Sequence, residues 1–525
     1  TLPDLSTHHP ANNYVSVNQR GLSVTASDET KEYGVAGTLD GTSPSSFSTS
    51  GLQNGETVGS VTLTASGGGE LASANVGTYT ITPSAVTGGT FDINNYDISY
   101  ATGVLEKTRK ELTISGLAAE NKTYDGTRAA TISNYGTLNG ILSFDGGTSY
   151  DDVFLNTGSL SNSATFGSKN AANGKTVTLS LANGNLSGAK AGNYSISNQT
   201  TTANVDKKIV GLSASRIYDG SIDLSGSVTI TTDVGSEILT YSGATSSSQH
   251  VADPNKFINA IVLGDGTGGG LVGNYQLPTL NAINAPVTIT PKTVGLSASR
   301  IYDGSLHLTG SDVTITTGVG SETLTYSGAT VSSRNVVDAA KFIDAITLGD
   351  AYDGSGGLHN NYTLPVLNFA NAPVTISAKA LTISGLSSTN KIYDGTTDAQ
   401  VIGSASLQTA IAAGGGTDSD GKSYNVDTVS LSGTSVGTFD DKDVNDATTV
   451  SFSGLSLTGA GSDNYTLTPH ASASHSISTK EVELSASRIY DGSKILSGAD
   501  VSITTGVGVE TLSYSGGSAN SKDVF

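Results

Sequence analysis

The side chains of this chain best equipped for chemistry are its acids. Asp440 and Asp441, with Asp443 and Asp446, fall inside DDKDVND, and Asp151-Asp152 and Asp418-Asp420 form smaller clusters. Calcium takes about six to eight oxygens from a compact loop, and DDKDVND offers several. Its spacing is not that of an EF-hand loop. The stretch in register with it earlier in the chain, GSKNAAN from Gly167, has no acid. A repeated calcium site is therefore not expected and no cofactor is assigned, although a single calcium ion near Asp440 stays open. The seven histidines include His8-His9, His470 and His475, but there is no cysteine and no His-x3-His or His-Glu-x-x-His spacing. No Gly-x-Ser-x-Gly elbow joins a strand to a helix, and the glycine run GDGTGGGLVGNY lacks the lysine of a phosphate loop. The residues that catalysis uses are present without the arrangements it needs, so no enzymatic activity is expected.

The most insistent motif is instead Tyr-Asp-Gly. LSASRIYDGS occurs three times letter for letter, and looser versions occur twice. The five triads are Tyr124-Asp125-Gly126, Tyr218-Asp219-Gly220, Tyr302-Asp303-Gly304, Tyr393-Asp394-Gly395 and Tyr490-Asp491-Gly492. Asp-Gly is turn chemistry, because the Asp side chain caps its own turn and Gly takes a positive φ. A basic residue precedes each tyrosine by two: Lys122, Arg216, Arg300, Lys391 and Arg488. Positions two apart on a strand share a face, which puts the cation beside the ring or against a carboxylate opposite. The triads are read as a structural signature. A ligand site at the same place in every repeat is the weaker reading, since the loops around the motif vary.

The elements that must position these residues follow from the repeat itself. The five tyrosines are spaced by 94, 84, 91 and 97 residues. An Asn-Tyr landmark follows at Tyr194, Tyr275, Tyr362 and Tyr465, and then a strand-like run ending in lysine. The next repeat begins within one or two residues. The interval from Tyr-Asp-Gly to Asn-Tyr is 70 and 72 residues in two longer repeats and 57 and 60 in two shorter ones. AYDGSGG at Tyr352 is out of phase and is read as a decoy. A period near 90 residues exceeds the roughly 20–50 of solenoid units and suits independent domains in series. The expected boundaries are 1–18 (an N-terminal segment), 19–108, 109–207 (long), 208–291 (short), 292–378 (short), 379–479 (long) and 480–525 (a partial short repeat). Tight junctions predict that neighbours abut in an elongated rod.

Within a repeat the periodicity is two. KTVTLSLANG, TTVSFSGLSL and DVTITTGVGSETLTYSG alternate apolar with polar residues and are rich in Val, Thr and Ile. One helical turn or two is expected in the short repeats, at ADPNKFINAIVLGD and DAAKFIDAITLGD, with Asp253 and Asp338 as N-caps and Pro254 at the first helical position. The fold class is mostly β, a tandem array of small β-grasp-like or sandwich-like domains.

Composition narrows the function. The 525 residues contain 65 Gly and no Cys, Met or Trp, and carry a net charge of −20. Dispersed negative charge repels phosphate backbones and anionic lipid, so nucleic acid is not an expected partner. No apolar run approaches the roughly 18 residues of a membrane span, so membrane insertion is not expected in this segment. A sulfur-free chain suits an oxidising, exposed setting. The opening TLPDLSTHHP has no initiator Met and reads as an internal or mature segment. Residues 480–525 lack the closing strands of a repeat, which predicts continuation of the chain or completion by a neighbouring strand.

Tyr-Asp-Gly near the start of a repeat, TFDDKDVNDATTVSFSGLSLTGAGSDNYTL from Thr438 and a lysine-closed last strand resemble the YDG domain. The second domain, 109–207, matches in the same register through TFGSKNAANGKTVTLS and GAKAGNYSI, while the short repeats depart from the family through the middle. Upstream, KEYGVAGTLDG, NVGTYTITPS and NNYDISYATGVLEKT resemble the MBG domain of the YG type, described as β-grasp-like. Its Tyr33-Gly34 stands 91 residues before Tyr124. The resemblance covers roughly Arg20 to the end. It implies a secreted, extracellular and non-enzymatic part of a large bacterial surface adhesin exported by two-partner secretion, of the filamentous-haemagglutinin-like kind. The expected function is a stalk or fibre segment that extends an adhesive region or builds a biofilm-matrix filament. Expected partners are copies of itself or other surface and matrix components, and glycans. The alternative is that variable loops bind a glycan or a host protein. Glycosylation at the Asn-Tyr sequons Asn193, Asn361 and Asn464 is disfavoured because the landmark packs, whereas Asn121 and Asn185 are freer.

Overall fold

The computed structural model describes residues 15–351, Gly354 and 356–524; His8-His9 and the Tyr352 decoy lie outside the described residues. Strands account for 45% of the chain and, among the described residues, no helix reaches seven residues. Among the described residues the only helical turns are three-residue 3-10 turns, and no helix is long and apolar enough to cross a membrane. The chain falls into two compact units. The first comprises Thr1–Ala214, Leu224–Thr245 and Phe257–Pro286, and the second comprises Ser215–Asp223, Ser246–Lys256 and Val287–Phe525.

In the first unit, the domain at 19–108 opens with strand Arg20–Ala26, whose Leu22, Val24 and Ala26 alternate into the core. That strand lies between Phe47–Ser50, antiparallel, and Tyr96–Ala101, parallel, with Leu22 opposite Ile98. A second sheet orders Glu29–Glu32, Gly103–Thr108, Gly77–Gly89 and Val58–Ala65. Leu22, Val24, Phe47, Val61, Ile81 and Leu105 fill the space between them. The next domain repeats the plan. Lys110–Ser115 lies between Thr137–Asn139 and Tyr194–Ile196, and Lys122–Thr123, Gln199–Asp206, Ala172–Leu179 and Ala164–Phe166 form the second sheet. Period-two alternation thus yields strands with one buried face, as half-covered sheets require.

In the second unit, Gly295–Ile301 lies between Val313–Thr316 and Val374–Ser377, and Thr325–Val331 pairs with Ile343–Gly349. Further on, Lys379–Ser388 lies between Val401–Leu407 and Tyr465–Thr468. Asp398–Ala399, Ser430–Phe439, Thr449–Thr458 and Ala473–Ser474 make the accompanying four-stranded sheet around Phe439, Val450 and Phe452.

Two pairings recur in both units. The Asn-Tyr tyrosine sits opposite the first residue of an opening strand: Tyr96 with Arg20, Tyr194 with Lys110, Tyr275 with Lys208, Tyr362 with Lys292 and Tyr465 with Lys379. In four domains the segment before Tyr-Gly or Tyr-Asp-Gly runs parallel to the closing strand: Lys31 with Lys107, Lys122 with Val205, Arg300 with Ile376 and Lys391 with Ile477. The tyrosine N–H then donates to the last residue of that pairing, for example Tyr302 to Ser377 at 2.8 Å and Tyr124 to Asp206 at 2.8 Å.

The helix expected in the short repeats is not formed. Ile258–Gly264 and Ile343–Gly349 are strands. Asp253 and Asp338 cap nothing helical; they accept the hydroxyls of Ser248 and Ser333. The loop closes instead on a lysine: Lys341 Nζ donates to the carbonyls of Val336 (2.9 Å) and Asp338 (2.6 Å), and Lys256 does the same at Val251 and Asp253. Left-handed Asn255 and Ala340, with φ of 56° and 57°, end each turn after one residue, and the apolar residues that follow enter a hairpin. Sheet pairing overrides a capping signal that is local only.

Candidate functional site

The signature tyrosines leave their own domains and enter the next. The turn that carries each one is built locally. Asp219 Oδ1 accepts the Ser221 N–H at 2.9 Å, and Asp125, Asp303, Asp394 and Asp491 accept the equivalent N–H two residues on. The basic residue two before the tyrosine binds this same Asp, as in Lys122–Asp125 at 2.8 Å, Arg216–Asp219 at 2.8 Å and Arg300–Asp303 at 3.1 Å. It also donates to turn carbonyls, Thr127 O for Lys122 and Ser221 O for Arg216. The cation goes to its own turn and not to the motif tyrosine, and Lys122 and Lys391 also lie 5.5 and 5.6 Å from the ring centroids of Phe166 and Phe439. The Lys391 ammonium beside Asp394 holds that carboxyl down to about 2.

Each ring projected by this turn meets a second tyrosine and a carboxylate. Tyr33 and Tyr194 both donate to Asp151 Oδ2, at 2.8 and 2.7 Å. Tyr124 and Tyr275 donate to Glu237 Oε1 and Oε2, both at 2.7 Å. Tyr218 and Tyr362 donate to Glu322 Oε1 and Oε2, at 2.7 and 2.6 Å. Tyr302 and Tyr465 donate to Asp427 Oδ2, at 2.6 and 2.7 Å. Tyr393 donates to Glu510 Oε1 at 2.6 Å. In the four paired cases the rings pack edge to face, with centroids 5.4–5.5 Å apart and interplanar angles of 79–84°. Such contacts contribute about 0.5–1.5 kcal/mol beyond burial. The second tyrosine is always that of Asn-Tyr, so the two landmarks of the sequence are the two rings of one contact.

The asparagine completes it. Asn193, Asn274, Asn361 and Asn464 are buried, and their Oδ1 atoms accept the backbone N–H of Val76, Ala171, Val251 and Val336 in the preceding domain, at 2.8–2.9 Å. The burial of Asn193, Asn361 and Asn464 agrees with the reading that these sequons pack.

Charge withdrawn from water needs partners, and two phenol donors supply them to buried Glu237 and to half-buried Asp151, Glu322 and Asp427. Short repeats use Glu, which splays its two oxygens to the two rings. Long repeats use Asp, whose single oxygen serves both rings, and there the second phenol oxygen also accepts a backbone N–H, from Leu142 or Tyr424. Glu237 has a cation as well, Lys169 Nζ at 2.8 Å. Burial works to raise the Glu237 carboxyl, but the hydrogen bonds from Lys169, Tyr124 and Tyr275 outweigh it and hold it below the ordinary range. Burial, followed by the carboxylate bond, pushes the hydroxyls of Tyr33, Tyr218, Tyr275, Tyr302 and Tyr362 well above the usual phenol value.

The glycine of the motif makes the approach close. Gly220 has φ of +78°, and a Cβ there would stand 2.7 Å from Val319 Cγ1. Val319 belongs to the same turn as Glu322, whose N–H donates to the Val319 carbonyl at 3.0 Å. One short turn, Thr-x-Val-Gly-x-Glu, therefore offers both the surface met by the glycine and the acid met by the ring. It recurs at 232–237, 317–322 and 505–510.

The structure corrects the reading of the acids. Asp151, which the sequence offers only as part of an acid cluster, is a junction acceptor. Asp440 accepts the N–H and hydroxyl of Thr448 (2.8 and 2.6 Å) and of Thr449 (3.0 and 3.1 Å), and Asp443 pairs with Lys442. No group of three metal-ligating His, Cys, Asp or Glu side chains gathers among the described residues, near Asp440 or elsewhere. Sequence reading named Asp151 but passed over Glu237, Glu322, Asp427 and Glu510; the recurring Val-Gly-x-Glu of the short repeats was the available signal for the three glutamates.

These features define a tandem array of small β domains in which each domain inserts a tyrosine into a carboxylate socket of its successor. The MBG domain of the YGX type matches residues 22–106, and the YDG domain matches residues 108–203 and 377–474. Over these residues the chain belongs to those two families. The YDG matches coincide with the two longer repeats, and the shorter repeats between them carry the same contact. No curated protein matches the chain. Among solved structures, Drosophila N-cadherin EC1-4 aligns at 9% identity over 87% of this chain and 100% of that one, with a TM-score of 0.14. The N-terminal eight Ig domains of Down Syndrome Cell Adhesion Molecule isoform 1.30.30 align at 9% identity over 88% of this chain and 60% of that one, with a TM-score of 0.12. Scores so low carry no weight for the fold.

Proposed function

We propose that the chain is a non-enzymatic, extracellular, tension-bearing stalk or fibre segment of a bacterial surface adhesin. Domains of both families are typical of large surface or adhesin-like proteins. The observation that carries the reading is the parallel pairing, in four domains, of the segment before the motif tyrosine with the closing strand, as in Ala298–Ile301 with Val374–Ser377. A pull applied to the two ends of such a pair loads its hydrogen bonds together, in shear, instead of one after another. The carboxylate socket stands where the chain passes from one domain to the next, so the transfer of load between neighbours is braced by a desolvated contact.

Stretching the full chain by its ends in an optical trap tests this. The expected trace is a series of abrupt single-domain ruptures. Rupture forces should fall when a domain is pulled instead through cysteines placed on neighbouring antiparallel strands, a substitution made simple by the absence of native cysteine. Gradual extension without ruptures would overturn the reading. So would loop-dependent glycan binding by a chain that yields softly.

A further inference from the structure

Each landmark asparagine holds the preceding domain by its oxygen, and its amide nitrogen reaches one residue further back. Asn193 Nδ2 donates to Asn75 Oδ1 at 2.9 Å, and Asn274 Nδ2 donates to Asn170 Oδ1 at 3.3 Å. Asn75 and Asn170 immediately precede Val76 and Ala171, whose N–H groups bind the same two asparagines at Oδ1. Where Asn361 makes this contact, His250 holds the place: Asn361 Nδ2 lies 3.1 Å from His250 Nδ1, and Asn361 Oδ1 accepts the Val251 N–H at 2.9 Å. In the remaining case Asn335 holds the place but donates to Asp338. One position of a repeated contact thus carries a titratable ring where the others carry an amide.

The hydrogen bonds fix the state of that ring. The Asn361 oxygen is committed to Val251, so the atom facing His250 is an N–H donor and Nδ1 must accept from it. An asparagine oxygen accepts at any pH. An imidazole nitrogen accepts only while unprotonated, because both ring nitrogens are donors in the cation. Protonation sets two donors against each other, and Asn361 cannot turn its oxygen to the ring without releasing Val251. Asn361 is buried and His250 half-buried, so the unmet donor carries a desolvation cost. The surrounding groups offer the imidazolium nothing in return. In its own loop, Asp253 accepts the Ser248 hydroxyl and Lys256 lies on the carbonyls of Val251 and Asp253. Across the contact, Glu322 takes the phenols of Tyr218 and Tyr362, Asp219 is bound by Arg216, and His359 is paired with Asp350. Among the described residues no carboxylate contacts the His250 ring.

We propose that His250 makes this one junction acid-sensitive: the neutral ring accepts from Asn361 and closes the contact, and the protonated ring opens it. The junctions built on Asn75 and Asn170 stay closed under the same conditions, because an amide has no proton to take up there. Histidine is the side chain that changes charge between about pH 5 and 8, so mild acid is enough to act on it. The closed contact binds the neutral ring, so it is kept at higher pH and lost as the ring takes up a proton. The array therefore contains one joint that loosens in acid, at 246–256 against 359–361, between joints that do not.

Amide hydrogen exchange of the full chain tests the proposal, with protection expressed relative to an unstructured peptide at the same pH. From about pH 7.5 to about pH 5.5, protection of peptides spanning 246–256 should fall about tenfold, the equivalent of one lost hydrogen bond. Peptides spanning 168–173, at the Asn170 junction, should keep theirs. His250→Asn installs the residue of the other junctions and should hold protection at 246–256 constant over the same range. His250→Gln, which also offers an amide oxygen, takes its place should that variant lose its melting transition. A ring that only filled space would leave protection at 246–256 in the unsubstituted chain independent of pH, and that result would overturn the proposal. So would an equal fall at 168–173, or a fall that persists in the amide variants.

Discussion

At the scale of single residues, the motif tyrosines are read most directly by their acidity. Burial and a carboxylate partner both disfavour the phenolate, so the folded values of Tyr33, Tyr194, Tyr218, Tyr275, Tyr302, Tyr362 and Tyr465 lie above the ordinary one. A folded value above the unfolded one contributes stability that is fully present below about pH 10 and is lost as pH rises through the folded value. The chain should therefore lose structure in alkali, and absorbance at 295 nm should show these rings ionising together with the loss of circular dichroism. If all 21 tyrosines titrated smoothly near pH 10 with the fold intact, the buried contact would be wrong. The tyrosines were legible because they repeat in phase. Their acids were not, because Asp and Glu alternate and the acid lies 27, 19, 20, 34 and 20 residues after the motif tyrosine of its own domain. A partner that changes both type and spacing leaves no periodic trace.

At the scale of elements, the strands followed from alternation, and the false helix came from a capping signal that a hairpin overrode. The turns hold more of the specificity. Gly220→Ala faces two penalties at once: a positive φ, about 1 kcal/mol for a non-glycine residue, and a Cβ 2.7 Å from Val319 Cγ1. Val319→Ala removes the second and keeps the first. Thermal melts should therefore show Gly220→Ala destabilised by about 2–4 kcal/mol. Adding Val319→Ala should return part of that loss, although Val319→Ala alone destabilises by removing a buried side chain. Strict additivity of the two substitutions would mean that the glycine and the valine do not meet in solution. Sequence reading assigned Gly220 to a turn for its φ alone, since the valine that confines it lies 99 residues away.

At the scale of the whole molecule, the contact makes neighbouring domains share stability. The fourth domain cannot open its Val319–Glu322 turn without uncovering Tyr218 of the third, so their free energies contain a common nearest-neighbour term. A hydrogen bond to a charged group contributes about 1.5–3 kcal/mol, which corresponds to about a 10–100-fold change in a local opening equilibrium. Glu322→Gln should therefore raise amide exchange in peptides spanning 215–223, in a domain that does not contain the substituted residue, by about that factor. Peptides spanning 20–26 should exchange as before. Tyr218→Phe should produce the same acceleration, and the double variant should add little, because both substitutions remove one interaction. Unchanged exchange at 215–223 would mean that the rings are packed but carry no coupling, and the domains would then be independent beads. Regular spacing alone is compatible with either arrangement. What separates them is whether an acid in one domain sets the opening rate of a tyrosine in the domain before it.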